Sequence, residues 1–265
     1  MLNDFHLHTN FSGDCDVKPE VQIEKALSLG MKRICITDHH DYDVVSDCDF
    51  ELDLPSYFSA MERLREQYKD RIRIEIGIEL GLQEHIKGYL QKVSEEYPFD
   101  FIIGSSHFID GMDPYFPAFF ETRSERESYE RFFQVSLERI RIMDCFDSYG
   151  HLDYVVRYGP NQNREYRAED YLQYIDPILK TLIEKGKGLE CNTGGFRYRL
   201  GHPNPCEEIL CRYHHLGGEL VTIGSDAHSP DYVGYEFERT AKLLEACGFR
   251  YYAVYHQRKP EFLPL

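Results

Sequence analysis

Six histidines and three carboxylates hold most of the chemistry this sequence could perform. His6 and His8 are two residues apart, so on an extended strand both imidazoles face one way while Phe5 and Leu7 face the other. Neutral imidazole is the commonest protein metal ligand. A His-x-His pair begins a metal site only if more ligands reach the same place, and the chain supplies them. His39, Glu79, His107, His151, Asp226 and His228 each close or follow a run of strand length. Histidines and carboxylates without thiolates suit Zn²⁺, Mn²⁺ or Fe²⁺ in a hydrolytic site. The set exceeds the needs of one ion. Two ions about 3.5–4 Å apart, sharing a carboxylate, form the arrangement used for in-line displacement at phosphorus, and Glu79 is the natural bridge. Asp38 reads as the cap of a turn; His40, His85, His202, His214, His215 and His256 lack a strand-end position and read as surface or structural.

These ligands meet only if their strands run parallel with their C-terminal ends together. Apolar runs predict strands near residues 2–8, 33–38, 72–80, 99–107, 146–153, 188–193, 219–225 and 251–254. Helical spacing predicts helices over about 19–29, 56–68, 83–96, 124–144, 168–184, 205–216 and 237–246. The polar stretches 41–53, 108–122, 154–167 and 194–199 read as loops, the first a solvated acidic run rather than a lid over a substrate. Strand and helix alternate without a low-complexity linker, so residues 1–265 read as a single α/β domain. Seven or eight βα units point to a closed or nearly closed barrel rather than an open Rossmann sheet. No glycine-rich nucleotide loop is present to support the open alternative.

Composition narrows the partners. A formal net charge of −16 argues against nucleic acid, so an anionic substrate needs local positive charge from metal ions or arginines. There is no apolar run of about 18 residues and no charged-then-apolar leader at Met1, which reads as no membrane partner and a cytoplasmic location. Oligomeric state is not readable. The 8 cysteines are scattered without a C-x-x-C, and are expected to be reduced, with Cys35, Cys191 and Cys247 as small core residues.

His6-x-His8, Thr37-Asp38-His39, Gly77-x-Glu79, Ser106-His107, Gly150-His151-x-Asp153 and Gly224-Ser225-Asp226-Ala227-His228 occur in the order of the motifs of the polymerase and histidinol phosphatase (PHP) superfamily, which the chain resembles from residue 6 to 228. Its length, Pro98-Phe99-Asp100 and Gly150-His151-Leu152-Asp153 make it similar to the monofunctional histidinol-phosphate phosphatases of histidine biosynthesis. The resemblance implies a distorted (β/α)7 barrel holding three divalent ions (Zn, Mn or Fe) and acting on a small phosphorylated substrate. It implies His6, His8, Glu79 and Asp226 for one ion, Glu79, His107 and His151 for a second, and His39, His228 and Asp14 for a third. Many relatives have histidine where this chain has Asp14. Catalytic roles fall to Glu79, Asp226 and His228, and phosphate binding to Arg157 and, allowing for Gly194-Gly195 in the loop, Arg197. Asp41, Asp43 and Asp153 are the carboxylates available to the amine end of histidinol phosphate. Rival readings are a related phosphoesterase for a nucleotide or phosphotyrosine, an amidohydrolase-type enzyme, for which no strand end supplies a lysine, and a non-catalytic metal-binding domain.

Overall fold

The computed structural model describes residues 2–265. Its wall is a parallel sheet of seven strands: β1 (Asp4–Leu7), β2 (Arg33–Ile36), β4 (Arg73–Gly81), β5 (Phe101–Ser105), β6 (Ser148–Tyr149), β7 (Gly188–Asn192) and β8 (Val221–Gly224). A two-residue strand, β3 (His39–His40), continues past β2 and pairs with the end of β4, setting His39 opposite Glu79. The outermost strands meet: Asp226 N–H donates to the His6 carbonyl at 2.8 Å and His8 N–H to the Ala227 carbonyl at 3.2 Å. The sheet is therefore a nearly closed barrel, as the alternation of elements predicts.

Helices α1 (Pro19–Ser28), α2 (Leu54–Tyr68), α3 (Lys87–Glu96), α4 (Glu125–Ile142), α5 (Leu172–Glu184), α6 (Gly194–Arg197), α7 (Glu207–His215) and α8 (Phe237–Ala246) connect the strands. Their starts are written locally. Proline occupies the first turn of α1 and α2, Asp53 accepts from Ser56 N–H, and Ser124 with Glu127 forms a reciprocal capping box on α4. Strand residues Ile34, Ile36, Ile74, Ile76, Ile78, Ile102 and Ile103 are all buried. Each such side chain contributes roughly 1.5–3 kcal/mol on leaving water, so these runs cannot slip register without exposing the core.

Several elements differ from the sequence reading. Strand β9 (Tyr251–His256) has an antiparallel partner, β10 (Lys259–Pro264), hidden in the sequence because it is mostly exposed and carries two prolines in six residues. The hairpin caps the N-terminal end of the barrel, where Arg258 N–H donates to the Asp100 carbonyl and Arg33 Nε to Glu75 at 2.6 Å. Glu75, Asp100 and His256 lie close enough to hold an ion, yet their oxygens are already taken by Arg33, Arg65, Arg73 and backbone N–H groups. That cluster is an ion-pair latch. Residues 154–157, expected in a polar loop, form a buried 3₁₀ turn, and 194–197 form the single turn α6. Cys247 is not a core thiol: it pairs with Cys211 in a disulfide joining α7 to the end of α8, a contact 36 residues apart that spacing alone conceals. Cys35 and Cys191 are buried and free, as expected. No helix among the described residues is long and apolar enough to cross a membrane.

Candidate metal centre

At the C-terminal mouth of the barrel the other eight expected ligands gather around Glu79, which is fully buried. Its Oε2 lies 3.0 Å from His39 Nδ1, 3.1 Å from His6 Nε2 and 3.6 Å from His8 Nε2. Its Oε1 lies 2.9 Å from His151 Nε2 and 3.2 Å from His107 Nε2, and accepts from the Ser105 hydroxyl at 2.6 Å. Asp226 Oδ1 is 3.4 Å from His8 and 3.6 Å from His228, while Asp14 Oδ2 is 3.1 Å from His228 and 3.8 Å from His39. Three groups have donor atoms within 4.8 Å of one another: His6, His8 and Glu79; His39, Glu79 and His107; and His8, His39 and His228. His39 thus reaches both Glu79 with His107 and the rim group with His228, whereas the family resemblance gives it only to the latter.

The donor set fits cations. His8 Nε2, His39 Nδ1 and His228 Nε2 are buried and approach carboxylate oxygens without making a well-aligned hydrogen bond, and buried polar atoms are seldom left so unless something else occupies their lone pairs. Burial alone would raise the Glu79 carboxyl pKa, but His6, His39 and His107 together hold it well below the usual range. Burial pushes His8 well down, with the neighbouring His228 and His39 adding to the effect. Burial would lower His6, His39 and His107 as well, but the carboxylates around them raise all three, so divalent ions binding here would displace protons from those rings.

Ligand orientation is fixed one layer out. Glu190 accepts from His6 Nδ1 at 2.6 Å and, through its other oxygen, from His151 N–H at 2.9 Å. Asp41 accepts from His107 Nδ1 at 2.9 Å. Ser12 holds His8 Nδ1 at 3.1 Å and donates to Asp38, which also accepts from Thr9, so Asp38 pins the loop after β1 instead of capping the turn that follows it. Such partners set the tautomer and leave the other ring nitrogen for the ion. The sequence reading passed over Glu190 and Asn192. The available signal was two polar residues at period two inside the buried run of β7, which places both on the barrel's inner face. Glu190→Gln is expected to weaken divalent-ion affinity about 10–100-fold with the fold retained, measurable by metal titration; unchanged affinity would remove Glu190 from this role.

Two backbone features serve the same end. A side chain at position 224 would overlap the His6 Cβ, so only glycine lets β8 approach β1 closely enough there. Asp226 adopts φ +56, a left-handed conformation that costs a non-glycine residue on the order of 1–3 kcal/mol and is typical of functional positions.

Above the cluster lies a cavity of about 610 Å³ whose wall includes Arg157, Arg197, His107, His151 and Asp226. Arg157 is buried and braced, donating to Asp226 Oδ2 at 3.0 Å, Asn192 Oδ1 at 2.9 Å and Asn204 Oδ1 at 2.7 Å. A guanidinium has five N–H groups, so two remain for a ligand. Arg197 is half-buried, its guanidinium lying over the Tyr198 and Tyr232 rings. The carboxylates expected to meet an amine are placed otherwise. Asp41 is tied to His107, Asp43 is an exposed partner of His85, and Asp153 is fully buried against Asn204 and the Cys206 N–H. The acidic segment is not merely solvated: Ser46, Asp47, Cys48 and Phe50 line the cavity.

Residues 4–194 match the PHP domain family model. A probable histidinol-phosphatase of Clostridium acetobutylicum is 32% identical over 256 residues, covering 94% of this chain and 95% of that one. A histidinol-phosphatase of Lactococcus lactis is 31% identical over 261 residues, covering 97% and 95%. The crystal structure of the Lactococcus lactis histidinol phosphate phosphatase, complexed with zinc, L-histidinol and phosphate, matches with a TM-score of 0.91 at 30% identity, covering 98% of each chain. A Listeria monocytogenes structure at 20% identity and a TM-score of 0.76 shares the fold. With the barrel, the ligand order and this agreement over nearly its whole length, the chain belongs to the PHP domain family.

Proposed function

We propose that this protein is a metal-dependent phosphoric monoester hydrolase that converts L-histidinol phosphate to L-histidinol and phosphate in the cytoplasm. The observation that carries the reading is the ring of five imidazoles around one buried carboxylate, beneath a cavity with two arginines in its wall. The full-length likeness to a phosphatase whose crystal holds zinc, L-histidinol and phosphate supports it. Zinc, manganese or iron would be held by His6, His8, Glu79 and Asp226, by Glu79, His107 and His151, and by His39, His228 and Asp14. Divalent ions in such a site lower the pKa of the attacking water and offset charge on the phosphoryl oxygens.

The chain's own residues supply the rest. Arg157, held protonated by Asp226 despite its burial, presents its two uncommitted N–H groups to the phosphoryl oxygens without having to be ordered first. Arg197 adds a second cationic contact from the half-exposed wall. Arg157 also occupies Asp226 Oδ2, leaving Oδ1 turned toward His8 and His228. Aromatic side chains of Phe50, Tyr154, Tyr158 and Tyr198 narrow the cavity and limit water around the ester.

Phosphate release from histidinol phosphate by metal-replete protein, set against p-nitrophenyl phosphate, a nucleoside monophosphate and phosphotyrosine, tests the assignment. Histidinol phosphate is expected to give the highest kcat/KM, and elemental analysis more than two equivalents of divalent metal. Preference for another monoester overturns the substrate, and one equivalent or none in active protein overturns the three-ion centre.

A further inference from the structure

Asp113 lies in the segment between β5 and α4, on the cavity wall. Its Oδ1 accepts the Tyr115 N–H at 2.8 Å and the Tyr154 hydroxyl at 3.2 Å. Oδ2 has no partner among the described residues, and no arginine, lysine or histidine pairs with this carboxylate there. The other acids around the cavity are either engaged or open to water. Asp41 is held by His107, Asp14 by His228, Asp226 by Arg157, and Asp47 is exposed. Burial pushes the Asp113 carboxyl pKa up, outweighing the Tyr115 N–H and the nearby His107, which pull it down, the expected response of an acid largely withdrawn from solvent and holding no ion pair of its own.

Tyr154 fixes where this acid stands relative to the chemistry. Its ring centroid is 5.0 Å from that of His151 and 5.6 Å from that of His107, and the Arg157 guanidinium carbon lies 5.4 Å from it. Its hydroxyl, at the other end of the same side chain, holds Asp113. One tyrosine therefore separates the phosphate end of the cavity from an unpaired, partly desolvated carboxylate. A leaving alcohol bearing a cation a few bonds from its ester oxygen would lie along that tyrosine, with its ester at one end and its cation at the other.

Resting on the phosphatase reading above, we propose that Asp113 is the specificity residue for an ammonium group on the leaving alcohol. The ammonium, on the carbon next to the ester carbon, donates to Oδ2, so the site selects amino-alcohol phosphates over neutral alkyl or aryl phosphates. Tyr115 N–H and the Tyr154 hydroxyl keep the carboxylate aimed by occupying only Oδ1. Such selection is efficient because the aromatic wall leaves the cation few other acceptors, and an unpaired charge in a desolvated pocket is costly.

The test compares Asp113→Asn with wild type on three substrates: histidinol phosphate, its des-amino counterpart 3-(imidazol-4-yl)propyl phosphate, and p-nitrophenyl phosphate. Asparagine keeps the size of the side chain and an oxygen to accept from Tyr115 and Tyr154. The loss in kcat/KM for histidinol phosphate is expected to exceed the loss for each of the other two by about 10–100-fold. An equal loss on histidinol phosphate and the des-amino ester overturns the proposal, because Asp113 would then read the imidazole or only support the wall. No loss on histidinol phosphate overturns it too, by placing the amine elsewhere. Failure of the broader reading looks different: wild-type protein would hydrolyse p-nitrophenyl phosphate and leave histidinol phosphate untouched.

Discussion

Glu79→Gln is expected to lower turnover by about three orders of magnitude or more and to strip divalent metal from the purified protein, with the barrel still folded. The substitution keeps the side chain's volume, so packing against Ser105 and the β4–β5 pairing are largely preserved. What it removes is the charge. Five imidazoles from the ends of four strands approach the two Glu79 oxygens, and no other side chain in the cluster touches as many. An amide there offers one weaker acceptor and an N–H₂ that competes for the imidazole lone pairs meant for the ions. Elemental analysis, phosphate release and a thermal melt on the same preparation separate the outcomes. Near wild-type turnover with bound metal would remove Glu79 from the centre. His85→Ala is the control: its partner among the described residues is the exposed Asp43, so metal content and rate should be unchanged.

The second large effect is at Arg157. Alanine there removes a phosphate contact and leaves Asp226, Asn192 and Asn204 facing an empty, buried space. Breaking a buried pair from one side costs about 3–5 kcal/mol of stability. Losing one or two charge-assisted bonds to phosphate removes a further factor of roughly 10 to a few hundred from kcat/KM. Arg157→Ala should therefore lower both the melting temperature and kcat/KM, for every monoester alike. Arg197→Ala should lower kcat/KM with little change in melting temperature, because Arg197 stacks on tyrosines at a half-exposed wall and braces no metal ligand. If the two variants melt together, Arg157 does not brace the site as described.

Much of the site was legible because its ligands fall where a buried strand ends. An apolar run such as residues 33–36 or 101–105 is easy to see, and a histidine just past it can only lie at the mouth of the barrel. Glu190 was harder, since it lies within a strand and its role depends on β7 passing His6, 184 residues away. Asp41 was read as one of several loop acids, and only the fold shows it beneath His107. Asp113 was invisible for a related reason: nothing local marks the one acid in an irregular loop that Tyr154 will hold over the cavity. Arg157 was recognised as a site residue, but its bracing of Asp226 depends on β7, β8 and the 154–157 turn meeting in space. Local pattern gives elements and their ends; long-range pairing among polar side chains leaves no periodic trace.

The junction of β1 with β8 has a mechanical consequence. Where those strands meet, the sheet is joined by few backbone hydrogen bonds, Asp226 N–H to His6 O and His8 N–H to Ala227 O among them. The side chains projecting from the two banks of this seam are His6 and His8 on one side and Asp226 and His228 on the other. Ions held by both banks would act as rivets across the line where the hoop closes. Binding that favours only the closed form adds its free energy to that form, so the same atoms that serve the reaction would also set how often the wall parts. In hydrogen exchange, the amides of His8 and Asp226 would then become the gauge of occupancy: slow while the rivets are in, and the first of the barrel's inner amides to quicken when a chelator draws them out.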